Sequence, residues 1–299
     1  MTLKYSFFDF GFSFASLVDI GRRRTSNQDE VIICPQTGFF AVSDGMGGLP
    51  YGGKTSQLIQ QKLPGIMEAA LHELNHKGTS KNPIRHAELV SVSPRFQGIA
   101  DQVRNDDCAK SIVLRSSYKP TPENAAKILA KQVGKLSDTI YNAGNTGSRF
   151  NYGATLSGVW LTGRHALFVN LGDSRGYILP RRKRNIRQIT EDHNRAAWLV
   201  QRGEITKEEA RFHPASARLT RFMGMNPPVS PDVFICDVHP GDKILLCSDG
   251  LHGMIGDTEL PLLMRSSQNP ALVCKHLAAK ANANGGRDNI AVMQILIKN

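Results

Sequence analysis

Five aspartates stand at the ends of short apolar runs, each beside glycine or asparagine: Asp29 in Asn27-Gln28-Asp29, Asp44 in Asp44-Gly45-Met46-Gly47-Gly48, Asp173 in Gly172-Asp173-Ser174-Arg175, Asp249 in Ser248-Asp249-Gly250, and Asp288 in Arg287-Asp288-Asn289. Where strands run out into turns, carboxylates from distant parts of a chain can converge on one hard cation, and glycines let backbone carbonyls approach it too. The pattern reads as an oxygen-ligand metal site. Because these residues are spread from Asp29 to Asp288, a shared site requires the whole chain, 1–299, to fold as a single domain.

The 299 residues, 40% of them hydrophobic, are enough to bury a full core. Five cysteines, an odd number without C-x-x-C spacing, read as free thiols in a reducing, cytoplasmic setting. The stretch Phe7 to Val18 is apolar in places, but Asp9 and interleaved Ser and Gly argue against a leader peptide. No run approaches the roughly 18 apolar residues of a membrane helix, so a soluble protein with no membrane partner is expected. A formal net charge of +11 suits a chain that meets anions. Its basic clusters, Arg22-Arg23-Arg24 and Arg181-Arg182-Lys183-Arg184, lack the interleaved aromatics of a single-strand binding platform. The second cluster reads as a solvated hairpin tip, and no nucleic-acid partner is expected.

Strand patterns occur at 31–34, 39–43, 154–161, 165–171, 176–179, 233–238, 243–247 and 290–297. Helical periodicity runs through Leu58, Ile59, Leu63, Ile66, Met67, Ala70 and Leu71, where Pro64-Gly65 is expected to bend or break the helix. Thr121-Pro122-Glu123 starts a second helix with a cap followed by proline, and Asn269-Pro270 repeats that signal near the end. This order of elements predicts an α+β fold with packed sheets and helices on their outer faces. Two segments do not fit that core: an aperiodic insertion at about 72–119, expected to be loosely attached, and a polar, helix-prone flap at about 192–226. Trp160 in a strand and Trp198 on the flap both read as core packing, and His193, His213 and His252 read as structural.

Taken together in order, Gly21-Arg22-Arg23-Arg24-Thr25-Ser26-Asn27-Gln28-Asp29, Ser43-Asp44-Gly45-Met46-Gly47-Gly48, Asn170-Leu171-Gly172-Asp173-Ser174-Arg175, Thr190-Glu191-Asp192-His193, Gly203-Glu204-Ile205-Thr206 and the two closing Asp motifs resemble the metal-dependent protein phosphatase family (PPM, type 2C), in its bacterial branch. The resemblance implies a four-layer α-β-β-α sandwich, with two mixed, mainly antiparallel sheets flanked by antiparallel helix pairs. It implies hydrolysis of phosphoserine and phosphothreonine by water activated between two Mn or Mg ions. By matching motif, Asp44 would bridge the ions, with the Gly45 carbonyl on one and Asp249 and Asp288 on the other. Carboxylates and carbonyls without a His or Cys ligand cluster suit Mg or Mn rather than zinc. Arg24 matches the arginine that grips the phosphate, though Arg22 and Arg23 stand close enough for the register to slip. Asp29 matches the acid that orients water, or else it caps a turn. Asp288 could likewise be only a turn before the last strand. Asp173 is either a ligand of a weak third ion or the closure of a hairpin.

Departures from the family pattern matter. Gln28 stands where the family has Glu, Gly253 removes a partner from the third ion, and Met46 replaces a histidine that some relatives offer as proton donor. The expected partner is a phosphorylated protein, the substrate of a bacterial serine/threonine kinase, acted on by a monomer. The alternative is a catalytically silent adaptor of the same fold that binds phosphoproteins.

Overall fold

In the computed structural model, residues 8–77, 121–145 and 150–299 are described. The first sheet orders its strands β1 (Gly11–Asp19), β10 (Ile290–Lys298), β9 (Lys243–Cys247), β6 (Arg175–Leu179) and β7 (Arg187–Gln188). The second orders β2 (Asp29–Cys34), β3 (Phe39–Asp44), β4 (Leu156–Thr162), β5 (His165–Leu171) and β8 (Asp232–Asp237). Every pairing between these strands is antiparallel, and among the described residues a single parallel bridge, Phe8 to Gly163, lies outside them.

Several strands lack polar alternation because both faces of each sheet are covered. Phe40 and Val42 of β3 meet Phe168 of β5 and Ile244, Leu246, Met293 and Ile295 of the first sheet in a core between the sheets. Their neighbours Phe39 and Ala41 point the other way, onto α1 (Gly52–Lys77) and α2 (Pro122–Asn142). On the far side Val292 and Leu245 pack against Val273, Cys274 and Leu277 of α7 (Pro270–Ala283) and Leu260 and Met264 of α6 (Leu260–Arg265). The layers therefore run α-β-β-α, as expected.

The first helix departs from expectation. It runs unbroken from Gly52 through Pro64 to Lys77. Proline removes one intrahelical hydrogen bond, but Ile59, Leu63, Met67, Ala70 and Leu74 form one buried stripe that continues across it and holds both halves on the sheet. Residues 72–77 thus belong to the helix rather than to an insertion. The remainder of that expected insertion, through residue 119, lies outside the described residues, as do Cys108 and any account of how loosely it is attached. A second departure is β1, which the strand patterns do not include and whose interrupted apolar stretch argues only against a leader. Phe12 and Phe14 face the inter-sheet core, Ala15 and Leu17 face α7, and pairing with β10 makes the segment a strand.

The expected flap folds as α3 (Arg195–Gln201), α4 (Lys207–Ala210) and a 3-10 turn at Pro214–Ala217. Thr206 and Glu209 close a reciprocal capping box on α4. Trp198 is not a core residue. It is half-buried between the guanidinium groups of Arg195 and Arg202, 3.6 and 4.6 Å from its ring centre. Trp160 is buried as expected, its indole N–H donating to the Thr37 carbonyl at 2.8 Å. Residues 181–184 form an exposed turn between β6 and β7.

Candidate active site

The antiparallel registers bring five chain segments to the same end of the two sheets. Asp29 opens β2 directly opposite Asp44, which closes β3. Asp173 follows β5, Asp249 follows β9, and Asp288 precedes β10, whose Val292 pairs with Cys247. Like charges directly across a ladder cost stability, so the Asp29 and Asp44 pair is a feature that folding alone would not favour.

Backbone approach in these loops leaves no room for side chains at two glycines. A Cβ on Gly45 would lie 2.5 Å from the Gly52 carbonyl, where the loop after Asp44 meets the start of α1. A Cβ on Gly250 would lie 1.8 Å from the Asn289 carbonyl, so the Asp249 and Asp288 loops touch through their backbones. Both contacts need glycine for closeness rather than for an unusual dihedral angle.

Hydroxyl, amide and imidazole side chains fix Asp29, Asp44, Asp173 and the loop before Asp29 in place. The Asp44 N–H donates to Thr155 Oγ1 at 3.0 Å, and Thr155 Oγ1 lies 2.6 Å from Ser174 Oγ. Ser248 Oγ donates to Asp29 Oδ2 at 2.6 Å while accepting from the Ala291 N–H at 2.8 Å, which ties the two sheets together beneath the acids. Asn289 Oδ1 accepts from the Gln28 N–H at 2.9 Å, and its Nδ2 donates to the carbonyls of Ile20 and Ser26 at 2.9 and 3.0 Å. His252 Nε2 meets the Asp173 carbonyl at 3.0 Å; burial lowers this imidazole's pKa to about 3, so it is neutral there and its Nε2–H is the donor.

Burial, reinforced by Asp29 and Asp249, pushes the Asp44 carboxyl well above the usual range. Asp173 is raised likewise, by burial and then by Asp249. Asp29 is pushed up to about 7 and Asp249 to about 6, burial being the main cause in both. Asp29 Oδ1 and Asp249 Oδ1 are buried with no hydrogen-bond donor among the described residues. Both carboxyls stand within bonding reach of Asp44, and among acceptor oxygens only a shared proton or a cation can bridge. Among the described residues no three acidic, His or Cys side chains are already spaced as ligands of one ion. The fit to hard cations therefore lies in the donor set and its orphaned oxygens, and closing on an ion needs side-chain rotation.

Arg24, not Arg22 or Arg23, reaches the cluster. Its Nη2 donates to Asp288 Oδ2 at 2.6 Å, with 44% of the side chain exposed, and it feels the charges of Asp249 and Asp44. Arg22 Nε is turned instead to the Asn282 carbonyl. All the acids singled out in the sequence are thus gathered at one place, Asp173 included. The three histidines are structural as expected. The Gly172 N–H donates to His193 Nδ1, which leaves Nε2–H to face Asp232, and His213 caps the 3-10 turn.

The positioning parts played by Thr155, Ser174, Ser248, Asn289 and His252 were not legible in the sequence. Ser248 and Asn289 did flank the acids, but Thr155 carried no signal at all. Asn289→Ala is expected to lower stability by about 2–3 kcal/mol, since it leaves a donor and two acceptors without partners. A urea denaturation midpoint unchanged from the parent would contradict that expectation.

The family model for protein phosphatase 2C matches residues 21–281. The serine/threonine phosphatase stp of Listeria welshimeri is 34% identical over 176 residues, 58% of this chain and 69% of that protein. Its Listeria monocytogenes counterparts match over 56% of their own length. Among solved structures, the serine/threonine phosphatase Stp1 of Staphylococcus aureus superposes with a TM-score of 0.72 at 23% identity, covering 100% of this chain and 98% of that one. The catalytic domain of the phosphatase PstP, solved with two manganese ions, gives 0.63 at 24% identity, covering 96% and 99%.

Proposed function

This chain belongs to the protein phosphatase 2C family, and from that premise we propose that it is a metal-dependent serine/threonine phosphoprotein phosphatase. The observation that carries this reading is the buried carboxyl cluster with two donorless oxygens, set beside a half-exposed arginine. Asp44 and the Gly45 carbonyl, with Asp249 and Asp288, would hold two Mn or Mg ions, and Asp173 would serve a weak third. When bound, such ions supply the charge that lowers the pKa of a water and neutralises phosphoryl oxygens.

The chain's own groups do the rest. Arg24 is anchored to Asp288 by one nitrogen and open to solvent on the other side, so its remaining N–H groups can grip a phosphoryl group bidentately. Asp29 has Oδ2 fixed by Ser248 and Oδ1 free to accept, so it can take and orient a water proton at Oδ1. Gln28 can hydrogen-bond solvent but adds no charge. Met46 offers no proton to the departing serine or threonine oxygen, so that proton has to come from solvent.

The substrate is a phosphorylated protein, that of a bacterial serine/threonine kinase, met by a monomer in the cytoplasm. Among the described residues no helix is long and apolar enough to cross a membrane. Nothing in the site favours a silent adaptor, since all four positions proposed for the two ions, Asp44, Gly45, Asp249 and Asp288, are retained. The test is turnover of p-nitrophenyl phosphate and a phosphothreonine peptide with and without Mn. Metal-dependent hydrolysis of both is expected, and its absence at all Mn concentrations would overturn the reading.

A further inference from the structure

A pocket of about 380 Å³ opens beside the carboxyl cluster, between the flap segment and the chain around α5 (Asp249–His252) and the end of α7. Its walls include Arg211 and Phe212 from the flap, Gly253 and Gly256 after α5, Glu259, and Arg287. Two walls continue into the site just described: Arg287 immediately precedes Asp288, and Gly253 follows Asp249 by one helical turn.

The pocket lining carries two arginines, from the flap and from the segment before β10, and little to neutralise them. Arg211 is steadied by one bond, from Nη2 to the His252 carbonyl at 3.2 Å, and its guanidinium lies 5.5 Å from the Phe212 ring centre. Its Nε is buried and has no hydrogen-bond partner among the described residues. A Cβ on Gly256 would lie 2.7 Å from Arg211 Nη1, so the missing side chain there is what lets the guanidinium lie against the wall. Arg287 is exposed and forms no hydrogen bond or ion pair among the described residues. The one acid of the lining, Glu259, is engaged by Lys280 at 3.1 Å. Phe212, 77% exposed, gives the rim an apolar face. Two guanidinium groups lining one pocket, Arg211 with Nη N–H groups to spare and Arg287 exposed and unpaired among the described residues, suit a carboxylate or phosphoryl group held by paired hydrogen bonds.

Resting on the phosphatase reading above, we propose that this pocket is a specificity subsite that binds a second anionic group on the phosphoprotein substrate, close in sequence to the residue being dephosphorylated. Arg211 and Arg287 bind that group, and Phe212 packs against its aliphatic stem. Such a contact selects substrates without taking part in the reaction, so it lowers KM rather than raising kcat.

The experiment compares phosphothreonine peptides that differ only at one flanking position, scanned over the three positions on each side. That position carries alanine, glutamate, or a non-hydrolysable phosphonate analogue of phosphoserine. An anionic residue at one or more positions is expected to raise kcat/KM about tenfold over alanine, through KM, as hydrogen bonds to a charged group would. Gain with both anions supports the shared chemistry, and gain with the phosphonate alone identifies a second phosphoryl group as the occupant. In the Arg211→Gln, Arg287→Gln double variant the ratio of anionic to alanine peptide should fall close to one. A merely disturbed metal site would slow both peptides alike and leave the ratio unchanged. A parental ratio within about twofold of one at every position, or a ratio that survives the double substitution, overturns the subsite. If p-nitrophenyl phosphate is hydrolysed in a metal-dependent way while the ratio is flat, only the subsite falls. If nothing is hydrolysed, the phosphatase reading falls and the subsite with it.

Discussion

Asp44→Asn is expected to reduce Mn-dependent hydrolysis of a phosphothreonine peptide by at least about 10²–10³-fold, the scale on which a single preorganised electrostatic contact contributes to a transition state. The substitution keeps the shape of the side chain, and the backbone bond to Thr155 that anchors it is untouched. It replaces a carboxyl whose ionisation burial, Asp29 and Asp249 already oppose with a group that never ionises. The new amide can also donate to the orphaned Asp29 Oδ1 or Asp249 Oδ1. The cation-free variant should therefore melt no lower than the parent while losing the increase in Tm that Mn gives the parent. Loss of activity with intact circular dichroism and an absent Mn shift is the expected outcome. Retention of most of the activity would end the assignment of Asp44 as the shared ligand.

The second large effect is on stability, and it reverses with metal. Without divalent cations, Tm should fall by several degrees as pH rises from about 4 to 7. The sign follows from linkage. Asp29 and Asp249 are raised in the folded state to about 7 and about 6, with Asp44 and Asp173 raised as well, whereas an unfolded aspartate titrates near 3.9. Below the unfolded value both states are protonated and the cluster carries no charge penalty. Between the two values the unfolded chain releases protons that the folded one retains, so stability is lost until the folded groups have also titrated. Each kcal/mol lost shifts Tm by about 2–4 °C in a chain approaching this size. A cation that binds only the folded state adds stability by mass action, most where the carboxyls are ionised. With excess Mn or Mg the slope should vanish or invert. A Tm that rises with pH in chelator, or one that Mn leaves unmoved at pH 8, would contradict the arrangement of the cluster.

The site was more legible in the sequence than the machinery around it. A single acid beside glycine or asparagine at the end of an apolar run can be an ordinary turn residue, but five of them in the order of one family's motifs mark a site. Asp29, Asp44, Asp173, Asp249 and Asp288 could be named on that ground. Arg24 could be named only within a run of three arginines; the fold selects it, since Arg22 is drawn to Asn282 and Arg24 to Asp288. Thr155 holds the Asp44 backbone from more than a hundred residues away, and a lone threonine before a strand carries no mark of that. The flap's Arg211 is similar: its meaning comes from Gly256 and Arg287, which no local pattern connects to it.

Local pattern also misjudged two elements for one reason. Pro64 predicts a bend or break when only neighbours in the chain are weighed, and β1 shows no strand pattern when its partner is unknown. In the fold, a continuous buried stripe outweighs one lost hydrogen bond, and nine residues of pairing with β10 make Gly11–Asp19 a strand. What the sequence by itself determined is chemical identity: which residues can hold a cation, which can grip a phosphate, and the periodicities that build sheets and helices, since these depend on side-chain type and short spacing. What only the tertiary structure decided is which groups meet. Burial, the charge each carboxyl feels, the hydroxyls and amides that aim it, and the cationic pocket at its side all depend on approaches between segments far apart in the chain, and those follow from packing that no single stretch encodes.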